Sequence, residues 1–162
     1  EHVIGDRDFA VTDLDQLPYL EAVLKESMRL LPVTAMVGRQ AIETVELQGH
    51  QIPKKSMVLL APWILHRRED IFPEPLTFNP ERFNPEQFNN EEAMPKFAYL
   101  PFSGGPRACI GQGFAMMQMR INLAMTMQRY RLRLAPDYHF RPVFQFNTRP
   151  QNGLPMIVDQ IS

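Results

Sequence analysis

The stretch Pro101-Phe102-Ser103-Gly104-Gly105-Pro106-Arg107-Ala108-Cys109-Ile110-Gly111 decides how this sequence is interpreted, because it holds the only cysteine among 162 residues. Glycines leave the backbone around Cys109 open, and a proline-free amphipathic segment over 111–130 predicts a long helix directly after it. Backbone N–H groups at a helix start, the helix dipole and Arg107 all favour an ionised sulfur. Because a soft thiolate is a good iron ligand, the stretch predicts a metal-bound thiolate.

Other roles of a lone cysteine fit this chain less well. A free cysteine is often only a small buried hydrophobic residue. A structural zinc site needs several cysteine or histidine ligands in paired spacing, and the four histidines are scattered: His2, His50, His66 and His139. A nucleophile elbow would need glycine two residues before Cys109, where Arg107 stands. A dinucleotide-binding loop starting at Gly111 would need its third glycine at Met116.

The composition is that of an ordinary globular chain, with 44% hydrophobic and 22% charged residues. A net charge of −1 gives no electrostatic basis for binding nucleic acid. No apolar run approaches the roughly 20 residues that cross a bilayer. The single cysteine excludes an internal disulfide and suits a reducing compartment. We therefore expect a soluble segment on the cytoplasmic side, with the compartment otherwise open.

Periodicity and proline placement predict the order of the elements. Apolar residues at helical spacing predict a first helix from Pro18 to Leu31. Short β-like runs at 45–47 and 57–60 predict a small antiparallel sheet. Eight prolines between Pro62 and Pro106 predict a largely irregular segment, whose aromatic residues favour an ordered, packed meander.

The last third of the chain predicts a second helix and a terminal hairpin. The helix over 111–130 is expected to bury its apolar face, with its methionines in the core. Strands are predicted at 131–134, 143–146 and 155–158, with a turn at 151–153.

Glu26 and Arg29 stand three residues apart in the first helix, so their side chains meet on one face. On an exposed helix such a pair contributes only a few tenths of a kcal/mol and needs no further explanation. Its significance therefore depends on whether the pair is buried and on what else it contacts.

Three motifs of this sequence resemble motifs of the cytochrome P450 family and occur in the same order along the chain. The run Phe-x-x-Gly-x-Arg-x-Cys-x-Gly resembles the haem-binding loop of that family, and Glu26-Ser27-Met28-Arg29 resembles its Glu-x-x-Arg motif. Pro80-Glu81-Arg82-Phe83 resembles its meander signature. The resemblance implies a mixed α/β, mainly α fold, formed by the C-terminal part of the P450 fold. Its parts would be the Glu-x-x-Arg helix, a small β-sheet, the irregular meander, the cysteine loop, a long helix and a C-terminal β-hairpin.

The resemblance also assigns roles to particular residues. Cys109 would bind the iron of haem b, with Gly105 and Gly111 shaping the loop and Phe102 packing near the sulfur. Arg107 and Arg39 would pair with haem propionates, although a solvated strand charge remains open for Arg39. A structural triad would join Glu26, Arg29 and Arg82. Substrate contacts are expected from six residues: Val33, Thr34, Ala35, Met36, Phe146 and Asn147.

The resemblance implies a haem-thiolate monooxygenase that oxygenates a hydrophobic substrate with dioxygen and electrons from a reductase or ferredoxin. It covers about residues 17–162, and nothing here matches the N-terminal part of the family's catalytic domain. Residues 1–162 are therefore expected to be the C-terminal portion of one such domain, inactive alone. Two alternatives remain open: a catalytically inactive haem-binding or structural fragment, and a cysteine acyl-transfer enzyme. Isomerase or peroxygenase chemistry would use the same motifs.

Overall fold

The computed structural model describes residues 4–5, 7–84, 94–145 and 147–161. The regular elements of this part are helices α1 (Pro18–Leu30), α2 (Pro62–Leu65) and α3 (Gln112–Arg129) and strands β1 (Val37–Gln40), β2 (Val45–Leu47), β3 (His50–Ile52), β4 (Met57–Leu60), β5 (Tyr130–Leu134), β6 (Pro142–Phe144), β7 (Thr148–Pro150) and β8 (Met156–Gln160). Short 3₁₀ turns lie at Val11–Gln16, Pro80–Phe83 and Gly105–Arg107. Within the described residues, no helix has the length and hydropathy of a membrane span.

Helix α1 buries charged side chains as well as apolar ones. Proline at its first position forfeits no helical hydrogen bond, and Pro32 prevents the helix from continuing past its end. The predicted apolar stripe is mostly half-buried, and Leu31 is exposed. Glu26 and Arg29, by contrast, are completely buried. Packing against the meander therefore decides which face of α1 is buried.

The strands form separate two-stranded antiparallel ladders rather than one sheet between residues 37 and 61. Strand β1 pairs with β4, which places Arg39 opposite Val58, and β2 pairs with β3. The loops that connect them leave Arg39 on the ladder that follows α1 directly. This ladder carries the predicted propionate-binding arginine toward the cysteine loop.

The C-terminal strands form a hairpin and a separate ladder. Strand β6 pairs with its chain neighbour β7 as a hairpin, and β8 pairs with β5 over five residues. The turn predicted at 151–153 lies between β7 and β8, which belong to different ladders. A tight β6–β7 connection costs little loop-closure entropy, and β5 offers β8 a longer ladder than the three-residue β6 could.

Helix α3 leaves most of its predicted apolar face in solvent. Ala124 is its only buried residue among those described, whereas Phe114 is 66% exposed and Met117 43% exposed. The expectation that the methionines fill a core is therefore not met within this chain. Within the described residues, α3 packs mainly against α1, the turn at Val11–Gln16 and the strand β5 that follows the helix. Arg120 joins α3 to that turn by a hydrogen bond from Nη2 to the carbonyl of Leu14 (2.7 Å).

The meander is the centre of the packed core. Phe72 and Phe83 are almost fully buried, and the Phe83 ring lies 4.8 Å from that of Tyr99. The Tyr99 hydroxyl donates to the carbonyl of Lys25 in α1 (2.9 Å), which ties the meander to the helix. Phe88, one of the predicted meander aromatics, lies outside the described residues.

Candidate functional site

The cysteine loop is closed by its own backbone hydrogen bonds. Cys109 N–H donates to the carbonyl of Phe102 (2.9 Å), and Ala108 N–H donates to that of Gly105 (3.0 Å). Gln112 N–H donates to the carbonyl of Cys109 (3.3 Å), which connects the loop to the start of α3. The loop therefore presents Cys109, an exposed free cysteine, at the N-terminal end of a long helix.

Two glycines meet different demands of this loop. Gly105 has φ +68°, a conformation that residues with a Cβ rarely adopt. Gly104 has an ordinary φ, but a Cβ there would lie 3.1 Å from Leu100 Cδ2 and 3.3 Å from the Phe97 ring. A Cβ on Gly111 would lie 3.9 Å from Cys109 Sγ, an ordinary contact. The backbone conformation thus explains why residue 105 is glycine. For Gly111 the structure shows only that the residue lies near the Cys109 sulfur.

The two predicted propionate arginines occupy different surroundings. Arg39 is partly buried, and its Nη2 donates to Ser103 Oγ in the cysteine loop (3.4 Å). Arg107 is exposed on the turn two residues before Cys109. Phe102 is partly buried at the base of the loop. The structure therefore brings Arg39, Phe102 and Arg107 to the same loop as the thiol.

The Glu26–Arg29 pair is fully buried and bidentate. Arg29 Nε donates to Glu26 Oε2 (2.6 Å) and Nη2 to Oε1 (2.8 Å). Arg29 also donates to three meander carbonyls, those of His66 (2.7 Å), Pro75 (2.8 Å) and Thr77 (3.3 Å). Only a guanidinium fork can bridge a carboxylate and several carbonyls together. These acceptors make a fully buried charge pair tolerable.

Arg82 is the looser member of the predicted triad. Its Nε lies 3.6 Å from Glu26 Oε1, an ion pair without hydrogen-bond geometry, and its side chain is 12% exposed. Its Nη2 donates to the carbonyl of Glu74 (3.0 Å). Asn79 N–H donates to the same Glu26 oxygen (2.8 Å). The Glu26 carboxylate thus connects α1 to the 3₁₀ turn of the meander.

His66 is a central residue whose contacts sequence patterns did not reveal. It is completely buried, and its Nε2 accepts a hydrogen bond from Leu100 N–H (2.8 Å). The pKa of His66 is lowered to about 4, chiefly by burial; the positive charges of Arg29 and Arg67 contribute to the lowering, and nearby backbone carbonyls oppose it. At neutral pH the ring is therefore uncharged. Burial likewise raises the pKa of the adjacent Tyr99, with the charge of Glu26 adding to the effect.

The two predicted substrate-contacting segments lie side by side. Thr148 N–H donates to the carbonyl of Val33 (2.7 Å), joining the segment after α1 to the β6–β7 hairpin. Val33, Thr34 and Met36 are exposed and Ala35 is partly buried. Asn147 is exposed at the tip of the hairpin, and Phe146 lies outside the described residues.

Trp63 supports both of these segments and was also missed. Its backbone N–H donates to the carbonyl of Ala35 (3.2 Å), and its ring meets that of Phe144 edge-on with a centroid distance of 4.6 Å. The guanidinium of Arg67 lies 3.5 Å from the centroid of the Trp63 ring. The stacked arginine also donates to the carbonyl of Leu30, at the end of α1.

The donor set fits a metal whose other ligands come from a macrocycle. In the part of the chain that the structure describes, no group of three or more His, Cys, Asp or Glu side chains could hold a bare ion. Cys109 offers one soft ligand, and large apolar side chains follow it: Ile110 is fully exposed and Phe114 is 66% exposed. One thiolate beside exposed apolar surface suits an iron porphyrin.

The family model for cytochrome P450 matches residues 1–156. This chain belongs to the cytochrome P450 family. It is 37% identical over 140 residues to probable cytochrome P450 4s3 of Drosophila melanogaster, covering 86% of this chain and 28% of the relative. It is also 37% identical over 154 residues to cyclooctatin synthase of Streptomyces melanosporofaciens, covering 95% and 32%.

Solved P450 structures share the fold. The retinoic acid-bound cyanobacterial CYP120A1 superposes with a TM-score of 0.87 at 30% identity, covering 95% of this chain and 35% of that one. The heme domain of cytochrome P450DA gives a TM-score of 0.88 at 25% identity, covering 98% and 34%. The predicted family and fold class are thus confirmed, and haem iron is the cofactor of the family. The chain spans about a third of the length of the relatives it matches.

Proposed function

We propose that residues 1–162 form the C-terminal, haem-binding portion of a P450 catalytic domain, with Cys109 as the thiolate ligand of the iron. The observation that carries this proposal is the loop that holds the exposed thiol by a backbone hydrogen bond from Cys109 to Phe102 (2.9 Å). The family match gives that loop its context. The complete domain would act as a monooxygenase on a hydrophobic organic compound, with electrons from a reductase or ferredoxin.

Each nearby side chain has a distinct task in this proposal. Arg39 and Arg107 would bind the propionates, since guanidinium groups form strong, oriented hydrogen bonds with carboxylates. The partly buried Phe102 would shield the sulfur from water and so tune its donation to the iron. Bound haem supplies the redox chemistry that inserts one oxygen atom of dioxygen into the substrate.

An apolar substrate is supported by the surface around the two joined segments. Val33 and Met36 are 56% and 59% exposed, and Thr148 N–H fixes the hairpin beside them. Apolar walls with a few polar groups, here Thr34 and Asn147, are typical of small-molecule sites. One structural relative is bound to retinoic acid, a carboxylic acid whose body is hydrocarbon.

Carbon monoxide difference spectroscopy of the reduced, complete protein tests the proposal. The expected result is the strongly red-shifted Soret band of a thiolate complex, and Cys109→Ser should abolish it. Ala108→Ser is the matched control, because it adds the same exposed hydroxyl one residue away and should keep the band. A Cys109→Ser protein with an unchanged band would refute the ligand assignment.

A second candidate is a haem-binding or structural fragment without catalysis. The specific support is that Phe114 and Met117 of α3 are exposed, so this apolar surface has no covering partner within the described residues. Haem uptake without turnover by the complete protein would favour this candidate. Acyl transfer has less support, because within the described residues no hydrogen bond joins a histidine to Cys109 Sγ.

A further inference from the structure

His66 links the buried ion cluster to the chain entering the cysteine loop, although it is 43 residues from Cys109 in sequence. We propose that His66 is a positioning residue, which holds the loop in its ligating conformation through the backbone N–H of Leu100. The inference rests on the proposed function, in which Cys109 binds the haem iron. His66 itself contacts neither the thiol nor, in this proposal, the haem.

The His66 ring is held on several sides. Its Nε2 accepts the Leu100 N–H at 2.8 Å, so the neutral ring carries its proton on Nδ1. Its centroid lies 5.2 Å from that of Tyr99 and 6.5 Å from that of Phe72. Its own carbonyl accepts from Arg29 Nη1 at 2.7 Å. Its Nδ1 is buried without a hydrogen-bond partner among the described residues, so packing against the two rings and the fixed backbone set the position of Nε2.

Backbone contacts carry this restraint from Leu100 to the thiol. Ser103 N–H donates to the carbonyl of Leu100 (3.3 Å), and Cys109 N–H donates to that of Phe102 (2.9 Å). The Leu100 side chain also lies directly under Gly104, where an added Cβ would be 3.1 Å from Cδ2. A shift of Leu100 therefore moves the turn at 100–103, which contains the Phe102 carbonyl that accepts the hydrogen bond from Cys109.

Removing the acceptor leaves the Leu100 N–H without a partner at a partly buried position. A leucine at 66 would fill the ring's space but accept nothing, so the N–H would have to turn toward water. An unsatisfied donor in a partly buried site is expensive, and the loop would move to relieve it. A glutamine at 66 can place its amide oxygen where Nε2 lies, and so keep the bond.

The test compares variants of the complete haem protein by the ratio of two carbon monoxide Soret bands. One is the red-shifted band of the thiolate complex, and the other is the less shifted band of haem that has lost the thiolate. His66→Leu should lower this ratio about tenfold at equal haem content, the factor expected for one lost hydrogen bond. His66→Gln should stay within about twofold of wild type by the same relation.

Phe72→Leu is the matched control, because it removes packing from the same cluster but leaves the Leu100 bond. It should lower the melting temperature without changing the ratio. If His66→Leu holds no haem, His66→Phe replaces it, since phenylalanine keeps a stacking ring and lacks an acceptor.

The outcomes separate the two proposals. A wild-type ratio in His66→Leu or His66→Phe, or an equal fall in Phe72→Leu, would overturn the positioning role. So would a His66→Gln protein as impaired as His66→Leu. A wild-type protein without the thiolate band would overturn the proposed function itself, and this inference with it.

Discussion

Replacing Arg29 by lysine should cost the complete protein about 3–5 kcal/mol of unfolding free energy, the range for breaking a buried ion pair. Arg29 makes five hydrogen bonds, two to Glu26 and three to the carbonyls of His66, Pro75 and Thr77. Lysine has three donors, so at least two of these five bonds are lost, and in the part of the chain that the structure describes only Glu26 Oε1 keeps another donor, the Asn79 N–H. At about 1–3 kcal/mol for each unsatisfied buried group, the sum agrees with that range. It is a large fraction of a typical stability of about 5–15 kcal/mol.

Urea denaturation and haem content per protein measure this effect. The expected Arg29→Lys protein unfolds at lower urea and retains little haem, because the meander beneath the cysteine loop loses its anchor. Arg133→Lys is the control, since the Arg133–Asp159 ion pair (2.8 Å) has side chains 66% and 49% exposed. Such a pair contributes under about 1 kcal/mol. Equal urea midpoints and haem contents for the two variants would refute the argument from burial.

Four further predictions follow from the site. In the complete protein, Cys109→Ser should melt within a few degrees of wild type while losing the thiolate band; a large loss of melting temperature would show that the exposed thiol is structural. The pKa of His66 is lowered to about 4 from 6.5, so the unfolding free energy should fall as pH drops from about 6.5 to 4, by up to about 1.4 kcal/mol per pH unit. His66→Gln should flatten that slope, and an unchanged slope would contradict the lowered pKa of His66. Arg39→Gln should speed haem transfer to an acceptor apoprotein roughly tenfold, whereas exposed Arg149→Gln should not; equal rates would leave Arg39 as a solvated strand charge. Residues 1–162 expressed alone should bind hydrophobic dyes, hold haem weakly and show no oxygenase turnover. Oxygenase turnover by these residues alone would refute the proposal of a partial domain.

The helices were predictable because local rules decide them. Pro18 and Pro32 bound α1, and the structure begins and ends it within one residue of the predicted limits. The cysteine loop was also predictable, because residue 105 needs to be glycine for its own backbone angle. Features of this kind depend on residues close together in the sequence, so the sequence alone is enough to predict them.

Contacts between distant segments were less predictable. His66 looks like any histidine in a proline-rich segment, and only the folded chain places its Nε2 against Leu100 N–H. The terminal strands offered compatible patterns for more than one pairing, so periodicity could not distinguish a β8–β5 ladder from a hairpin with β6. An apolar pattern on α3 predicts that one side of the helix should be covered, but it does not specify which other segment covers it.

The acceptors of Arg29 have a consequence for biosynthesis. They lie 37, 46 and 48 residues after the arginine, so all three carbonyls are synthesised after α1. At about 5–20 residues per second, that interval lasts roughly 2–10 s. Arg29 therefore cannot complete its hydrogen bonds until the chain has been synthesised as far as Thr77. The buried pair with Glu26 acquires its full set of acceptors only after that point.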